Sequence, residues 1–218
     1  MAKPSVTSLP VTTADEIREL ITTGQVVPGQ QLAEVELAAK LDISRNTLRE
    51  SYRILAQEGL VRHIPNRGVF VSTPSPQQVH DLFHVRRLIE SDALTYAKPD
   101  HPAVAGMRAA VQAARSAIGR QDWRMVGTQD IKYHQSIVRL ADSPILDKLY
   151  GALAAQLRLM FGVLGSVRSM HEPYVERNAL IVQLVENGDG PGAAKVIRNY
   201  LDDAQAQISA AYAASLAE

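Results

Sequence analysis

Arginine and hydroxyl side chains cluster around Ser44, and this cluster could bind the phosphates and base edges of DNA. Ser44 can cap a helix through its hydroxyl, and Arg45 and Arg49, four residues apart, then leave that helix on the same side. Guanidinium groups and the Thr47 hydroxyl can donate hydrogen bonds to phosphates and to base edges in a major groove. Arg53 follows one turn later. The spacing therefore predicts a helix whose exposed face contacts DNA.

Asp130 and His134 form a second group of residues with chemical potential. Spaced four apart on one helix, they would project from the same face and could chelate a divalent cation through oxygen and nitrogen. Such a pair is more often a surface hydrogen bond, so the spacing alone leaves both interpretations open. Arg86, one turn before Glu90, could clamp a carboxylate with its permanently charged guanidinium. Alternatively, Arg86 is a solvated arginine paired with Glu90.

The composition argues against several classes of protein. The 218 residues contain no cysteine, so a disulfide framework, a thiolate nucleophile and a cysteine-ligated zinc are excluded. Neither a nucleophile elbow nor a phosphate-binding loop accompanies Asp130 and His134, which argues against an enzyme. No stretch approaches the roughly 18 apolar residues of a membrane span, and residues 1–12 lack the apolar segment of a signal peptide. A soluble, cytoplasmic protein without membrane contact is expected.

The charge distribution indicates that any attraction to DNA must be local. The chain has 23 basic and 23 acidic residues and a formal net charge of zero. Between residues 44 and 68, five arginines stand against two glutamates, which leaves a net charge of +3. Because this charge is modest for one subunit, we expect two copies to bind together as a homodimer on a pseudo-palindromic site.

A winged helix-turn-helix is the element that must position the Ser44 cluster. Residues 34–41 place apolar side chains on one side of a helix, Asp42-Ile43 provides a short turn, and a second helix follows Ser44. Two β-rich runs, 60–64 and 69–71, flank a turn and predict a hairpin wing with Arg67 at its tip. The alternative is that these arginines only solvate a surface. The candidate DNA contacts are Ser44, Arg45, Asn46, Thr47, Arg49, Arg53, Arg67 and Gly68.

The length and a proline-containing linker predict two domains. Residues 1–12 read as a flexible lead-in, and Thr13-Ala14-Asp15-Glu16 predicts a capping box for a helix through Thr23. The DNA-binding domain spans 13–73, the linker 74–76 and an all-helical domain 77–218. The fold class is therefore mainly α, an N-terminal winged helix-turn-helix followed by an antiparallel six-helix bundle. The bundle helices are predicted at 77–97, 104–120, 123–141, 144–164, 171–186 and 190–214.

The N-terminal part resembles the winged helix-turn-helix of GntR-type bacterial transcription regulators over roughly residues 14–73. The resemblance rests on Ile21, Gly24, Pro28-Gly29, Leu32, Glu34, Glu36-Leu37-Ala38, Ser44-Arg45, Leu48-Arg49-Glu50, Leu55, Glu58-Gly59-Leu60-Val61 and Arg67-Gly68. It implies that Arg45, Arg49, Thr47 and Gly68 contact DNA. Some members carry a further base-reading arginine where this chain has Val35, so their operator sequence does not transfer.

The C-terminal part looks like the effector-binding domain of the FadR-type branch of the same family. The resemblance rests on residues 81–90, 130–134, 188–189 and 193–194. Many such domains hold a metal with one aspartate and three histidines, and a carboxylate effector often completes its shell. Asp130 and His134 match two of these ligands, whereas Asn178 and Tyr200 stand where histidines are expected.

Two descriptions of this site remain open. A divalent metal could be held by the partial set Asp130, His134 and Asn178, although the loss of two imidazoles should abolish tight binding of zinc or nickel. Alternatively, a metal-free pocket uses Asp130, His134, Asn178 and Tyr200, with Arg86 as an anion clamp, to bind an organic ligand. The remaining histidines are expected to be surface residues; they are His63, His80, His84, His101 and His171.

The resulting functional expectation is a DNA-binding transcription regulator, with repression favoured over activation by the family resemblance. A small effector, expected to be a carboxylate metabolite, would bind in the helical domain and change the affinity for the operator. An architectural DNA-binding dimer without an effector is the alternative.

Overall fold

The chain folds into a small winged unit followed by a helical unit. A computed structural model describes residues 8–163 and 167–215. Within these residues the elements are α1 (Leu9–Thr22), α2 (Glu34–Lys40), α3 (Arg45–Gln57), β1 (Val61–Ile64), β2 (Gly68–Val71), α4 (Pro76–Thr95), α5 (Pro102–Gly119), α6 (Trp123–Arg139), α7 (Pro144–Val163), α8 (Val167–Glu186) and α9 (Gly190–Ser215). The mainly helical fold class predicted from the sequence is confirmed.

The helix-turn-helix and the wing form where the sequence places them. Asp42 turns the chain between α2 and α3 with a φ of 52°, and the Ser44 hydroxyl accepts a hydrogen bond from the Thr47 backbone N–H at 3.0 Å. This cap satisfies one of the free N–H groups at the start of α3. Strands β1 and β2 pair antiparallel, with Val61 opposite Val71. The apolar sides of these elements enclose one core.

The first helix begins earlier than the sequence analysis predicts. α1 begins at Leu9 after Ser8, and Thr13 lies inside it with only 2% of its surface exposed. The capping box predicted at Thr13 is therefore wrong. Pro10 fits the first turn because the N–H that proline lacks would have no partner within the helix there. The Pro10 carbonyl accepts a hydrogen bond from the Ser51 hydroxyl at 2.9 Å. The predicted lead-in is thus helical from residue 9, while residues 1–7 lie outside the described part.

The winged unit packs directly on the helical unit. Ala155 and Leu159 of α7 are buried in the same core as Ile17 and Ile21 of α1. Gln156 also donates a hydrogen bond to the Glu58 backbone carbonyl, at the end of α3, at 2.7 Å. The two units therefore share part of one apolar core rather than being joined only by the chain at residues 72–75.

Within residues 76–163 and 167–215 the helical unit contains six helices, as predicted, with α4 packed on α9 and α5 packed on α6. One helix start differs: α8 begins at Val167, whereas the sequence analysis places its opening at 171–173. Pro173 therefore lies inside the helix, where it cannot donate to the Ser169 carbonyl one turn earlier. The Gln207 side chain donates to that carbonyl at 2.9 Å instead. A contact from α9 thus compensates for the missing backbone bond, and it could not be anticipated from local sequence.

The other bundle boundaries agree with the sequence to within a few residues. Ser75 caps α4 in a capping box with Gln78. The predicted end of α7 at Leu164 lies outside the described residues. None of the helices in the described part of the chain is both long and apolar enough to cross a bilayer.

Candidate functional site

The exposed face of α3 carries the arginines predicted to contact DNA. The side chains of Arg45 and Arg49 are 60% and 56% exposed, while Leu48 between them is fully buried. The Ser44 and Thr47 hydroxyls lie 2.8 Å apart at the start of the helix. Asn46 is exposed beside them. A polar, cationic helix start therefore projects from an apolar base, which is the arrangement that a major-groove helix requires.

Glu34 holds both arginines in one orientation. Its two carboxylate oxygens accept hydrogen bonds from Arg49 Nε at 2.8 Å and from Arg45 Nη2 at 3.1 Å. The hydrogen bond from Arg49 is the main cause that lowers the pKa of the Glu34 carboxyl below its usual value. Glu34 opens α2, and its positioning role cannot be predicted from local sequence, because its contacts are 11 and 15 residues away along the chain. The carboxylate limits the positions that these two long side chains can adopt.

The wing and the end of α3 supply the remaining candidate contacts. Arg53 forms an ion pair with Glu50 at 2.5 Å. At the wing turn, Arg67 lies 5.7 Å from the centre of the Phe70 ring, and Gly68 adopts a φ of +98°, which favours glycine. A groove of about 480 Å³ separates α3 from the wing. Arg49 and Arg53 line this groove, and Arg67 and Gly68 lie at the wing turn.

A buried polar network lies in the helical unit and contains the predicted effector-site residues. His134 Nδ1 lies 2.6 Å from Glu90 Oε2, and His134 Nε2 lies 3.1 Å from the Tyr200 hydroxyl. Asp130 Oδ1 accepts hydrogen bonds from Tyr200 and from Asn178 Nδ2, each at 3.1 Å. Residues from four helices, α4, α6, α8 and α9, therefore meet at one point. Glu90, on α4, was predicted only as a partner of Arg86, but it also contacts His134.

Arg86 forms a buried ion pair and is not solvated. It is 2% exposed and donates from Nε to Glu90 Oε1 at 2.7 Å, while Tyr150 donates to the same oxygen at 2.5 Å. Burial opposes ionisation of Glu90, but Arg86 and His134 outweigh it and lower the pKa of the carboxyl to about 2. The alternative of a solvated Arg86 is therefore wrong. Tyr150 was missed because a tyrosine on an apolar helix reads as a packing residue.

Two polar atoms of this network lack partners within the described residues. They are Arg86 Nη2, a donor, and Asn178 Oδ1, an acceptor. A buried polar group without a partner costs free energy unless a ligand or water satisfies it. The cavity between Arg86, Asp130 and Tyr200 has a volume of only about 10 Å³, which is room for about one water molecule. An organic ligand would therefore have to displace side chains of this network.

The residues do not fit a divalent metal ion. His134 Nε2 and Asp130 Oδ1 lie 3.7 Å apart, and the Tyr200 hydroxyl is within hydrogen-bond distance of both, at 3.1 Å from each. Burial, and then Asp130, raises the pKa of the Tyr200 phenol well above its usual value, so it remains a neutral donor and a poor ligand. Across residues 8–163 and 167–215, no three His, Cys, Asp or Glu side chains form a metal-binding group. Tyr200 and Asn178 thus supply a neutral hydroxyl and an amide where a tightly bound metal would need imidazole or carboxylate ligands.

His171 is buried, which corrects its expected position at the surface. It is 1% exposed and packs edge-on against Phe161, with ring centres 4.7 Å apart. Neither ring nitrogen has a hydrogen-bond partner among the described residues. Burial, opposed by Asp130 and reinforced by Arg158, lowers the pKa of its imidazole to about 4. The other four histidines lie at the surface or near it, as predicted.

Two family models match the chain, and its relatives are regulators. Residues 10–71 match the bacterial regulatory proteins of the gntR family, and residues 81–203 match the FCD domain. A protein named as an uncharacterized HTH-type transcriptional regulator in an unstable DNA locus of Streptomyces ambofaciens is 30% identical over 199 residues, which are 85% of this chain and 79% of the relative. The gluconate operon transcriptional repressor of Bacillus subtilis is 23% identical over 211 residues, covering 94% and 86% of the two chains.

A solved structure described as a transcriptional regulator GntR from Rhodococcus sp. RHA1 shares the fold. It superposes with a TM-score of 0.85 at 34% identity, covering 93% of this chain and 98% of that chain. The matched families and relatives are transcription regulators, not enzymes.

Proposed function

Because the chain belongs to the GntR family of bacterial transcription regulators and carries an FCD domain, we propose that it represses transcription as a homodimer on a pseudo-palindromic operator. In this proposal each α3 lies in a major groove and each wing contacts the adjacent backbone. A small carboxylate bound in the helical unit changes the affinity for the operator. The named operon repressor among the relatives supports repression over activation.

The observation that carries the DNA-binding proposal is the exposed pair Arg45 and Arg49, oriented by one carboxylate. A guanidinium that is already restricted loses less freedom when it binds a base edge. The local charge of a single winged unit is small, so two units on one duplex are needed for tight binding. We therefore propose that the helical unit, from residue 77 onwards, joins two copies, with residues 74–76 as the linker and α1 as the start of the DNA-binding unit.

The DNA-binding proposal is tested by replacing Arg49, with a second exposed arginine as the matched control. Duplexes are selected from a random pool with the unaltered protein, and affinity is measured by fluorescence anisotropy. Arg49→Ala should weaken specific binding by about 5- to 150-fold, the equivalent of roughly 1–3 kcal/mol per base-contacting arginine. Arg115→Ala is the control, since Arg115 is also exposed and also paired with a single glutamate, Glu176, but lies in the bundle. Equal affinities of the Arg49 and Arg115 variants would contradict the proposed recognition helix.

The effector proposal is supported by the unpartnered donor on Arg86 and the unpartnered acceptor on Asn178. A carboxylate would satisfy the first, and a hydroxyl on the same molecule would satisfy the second. We propose that the effector enters by displacing the Tyr200 hydroxyl from Asp130 and His134. A metal is not part of this proposal, and elemental analysis of protein purified without a metal-affinity tag should find less than one equivalent of zinc or nickel per subunit.

A constitutive or architectural DNA-binding dimer is the second candidate, and the small size of the cavity favours it. A thermal-shift screen over organic acids, sugar acids and acyl-CoA compounds separates the two. Saturable stabilisation by one compound, lost in Asn178→Leu but retained in Tyr200→Phe, supports an effector site. A blank screen, with operator binding intact, supports the second candidate.

A further inference from the structure

A cleft with two arginines lies where the winged unit meets the helical unit. It has a volume of about 280 Å³, and its walls include Gly24 and Pro28 from the winged unit and Arg124, Arg158 and Phe161 from the helical unit. It is separate from the buried network around His134, although Phe161 contributes to both. Its volume suits a small metabolite rather than a peptide.

Arg158 is a buried cation without an ion-pair partner in the described part of the chain. It is only 8% exposed, and its hydrogen bonds within the described residues go to backbone carbonyls. Nη2 donates to the Thr23 carbonyl at 3.4 Å, and both Nη1 and Nη2 donate to the Arg124 carbonyl at 3.3 Å. Charged donors normally bond at about 2.7–2.9 Å, so these long contacts satisfy the guanidinium poorly.

Arg124 adds a second positive charge at the same place. Its Nη1 also donates to the Thr23 carbonyl, at 3.3 Å. Thr23 caps the C-terminus of α1, so both guanidiniums face the partial negative charge of that helix end, about half a unit charge. Burial and Arg124 together lower the pKa of Arg158 to about 10, and Asp130 opposes them only in part. The cleft thus has an excess of positive charge.

Two glycines, one from each unit, leave the space that the Arg158 guanidinium occupies. A Cβ atom at Gly24 would overlap Arg158 Nη2, and a Cβ atom at Gly127 would overlap Arg158 Nη1. Gly24 also adopts a φ of +69°, which other residues rarely accept. The fold therefore holds this cation inside the cleft instead of releasing it to solvent. By contrast, the buried Arg86 is given a glutamate partner.

We propose that this cleft is an oxyanion-binding site, in which Arg158 and Arg124 bind a carboxylate or phosphate group of a small metabolite. Both arginines now hold the Thr23 carbonyl of the winged unit. An anion that binds the two guanidiniums competes with the Thr23 carbonyl for them, so the affinity for the anion must depend on how the winged unit packs on the helical unit. By linkage, the anion would in turn change how the winged unit is held. The site is additional to the effector site proposed in the bundle.

Isothermal titration calorimetry on the full chain without DNA tests this proposal. Inorganic phosphate and citrate are titrated separately at constant ionic strength, with sodium chloride as the reference. At least one of the two anions should bind saturably with one site per subunit. Arg158→Gln should abolish binding, and Arg124→Gln should weaken it tenfold or more. Arg108→Gln is the matched control, because Arg108 is an exposed bundle arginine paired with Glu186, and its binding should equal that of the unaltered protein.

Three outcomes would overturn the proposal: no saturable binding of either anion, an equal loss in Arg108→Gln, or full binding in both cleft variants. Preference for phosphate or for citrate identifies the group that the cleft takes. Arg124 is exposed, so its variant remains informative if Arg158→Gln does not fold. Because DNA is absent from this experiment, a protein that binds the anion but no operator would contradict the proposed function and leave this site standing.

Discussion

Replacing His171 by leucine should remove a large part of the pH dependence of stability between pH 7 and pH 4.5. His171 is buried among Phe161, Gly127 and Arg158, with no hydrogen-bond partner for either ring nitrogen in the described structure. The neutral imidazole is therefore accommodated and the charged one is not, and the pKa in the folded protein is lowered to about 4. In the unfolded chain the same ring titrates near pH 6.5.

The magnitude follows from these two pKa values. Between pH 6.5 and about pH 4 the imidazole binds a proton in the unfolded state but not in the folded state. The free energy of unfolding therefore falls as the pH falls from 6.5 to about 4. Taking about 4 for the folded state and 6.5 for the unfolded state gives a loss of roughly 2 kcal/mol between pH 7 and pH 4.5. The lowered pKa of Glu90 affects stability at lower pH. The stabilisation by its carboxylate is present above the unfolded-state pKa of 4.5 and is lost as the pH falls towards 2.

Urea unfolding at pH 7.0 and pH 4.5 measures this effect in the unaltered protein, in His171→Leu and in the exposed-site control His84→Gln. His171→Leu should lose about 2 kcal/mol less than the unaltered protein over this interval. His84→Gln should lose as much as the unaltered protein. Leucine has no polar atom to bury, so stability at pH 7 should not decrease sharply. An identical pH response in all three proteins would refute the buried, neutral state of His171.

Two further substitutions test the ion pairs of the two sites. Glu90→Gln leaves Arg86 buried without its carboxylate and should lower the free energy of unfolding by about 3–5 kcal/mol, measured with urea or heat. Glu176→Gln removes an exposed partner and should lower it by less than about 1 kcal/mol. Similar losses in the two variants would contradict the buried pair. Glu34→Gln frees two arginines and removes a negative charge beside the DNA, so anisotropy should show several-fold tighter binding to a scrambled duplex and a smaller preference for the operator. An unchanged preference would mean that Glu34 does not position these arginines.

The DNA-binding surface could be predicted from sequence because each of its signals is local. A cap at Ser44, a turn at Asp42 and a hairpin turn around Asn66 are determined by residues within a few positions of one another. The face of α3 follows from helical spacing, so the exposure of Arg45 and Arg49 follows as well. Glu34 was missed as a positioning residue since its contacts cross from one helix to another.

The helix starts that were predicted wrongly, those of α1 and α8, depend on contacts between residues far apart in the sequence. α1 starts early because packing on α3 stabilises its first turn, as the contact from Ser51 to the Pro10 carbonyl indicates. α8 continues through Pro173 because Gln207, 38 residues beyond Ser169, donates to the Ser169 carbonyl, to which a proline cannot donate. Sequence patterns report neither contact. The same limit applies to Tyr200, whose identity suggests a weak ligand but whose hydroxyl acts as a donor to a carboxylate 70 residues away.

The geometry of α6 relates the bundle network to the cleft. Arg124, Gly127, Asp130 and His134 follow one another at intervals of three, three and four residues, so they lie along one side of the helix. The first two contact the winged unit or the arginine that holds it, and the last two form the network with Tyr200. A ligand that displaces α6 at one end of this side therefore moves groups at the other end. If the two sites are coupled in this way, reciprocity requires that an effector of the network and an anion in the cleft change each other's affinity by the same factor, and independent binding of the two would exclude α6 as the connection.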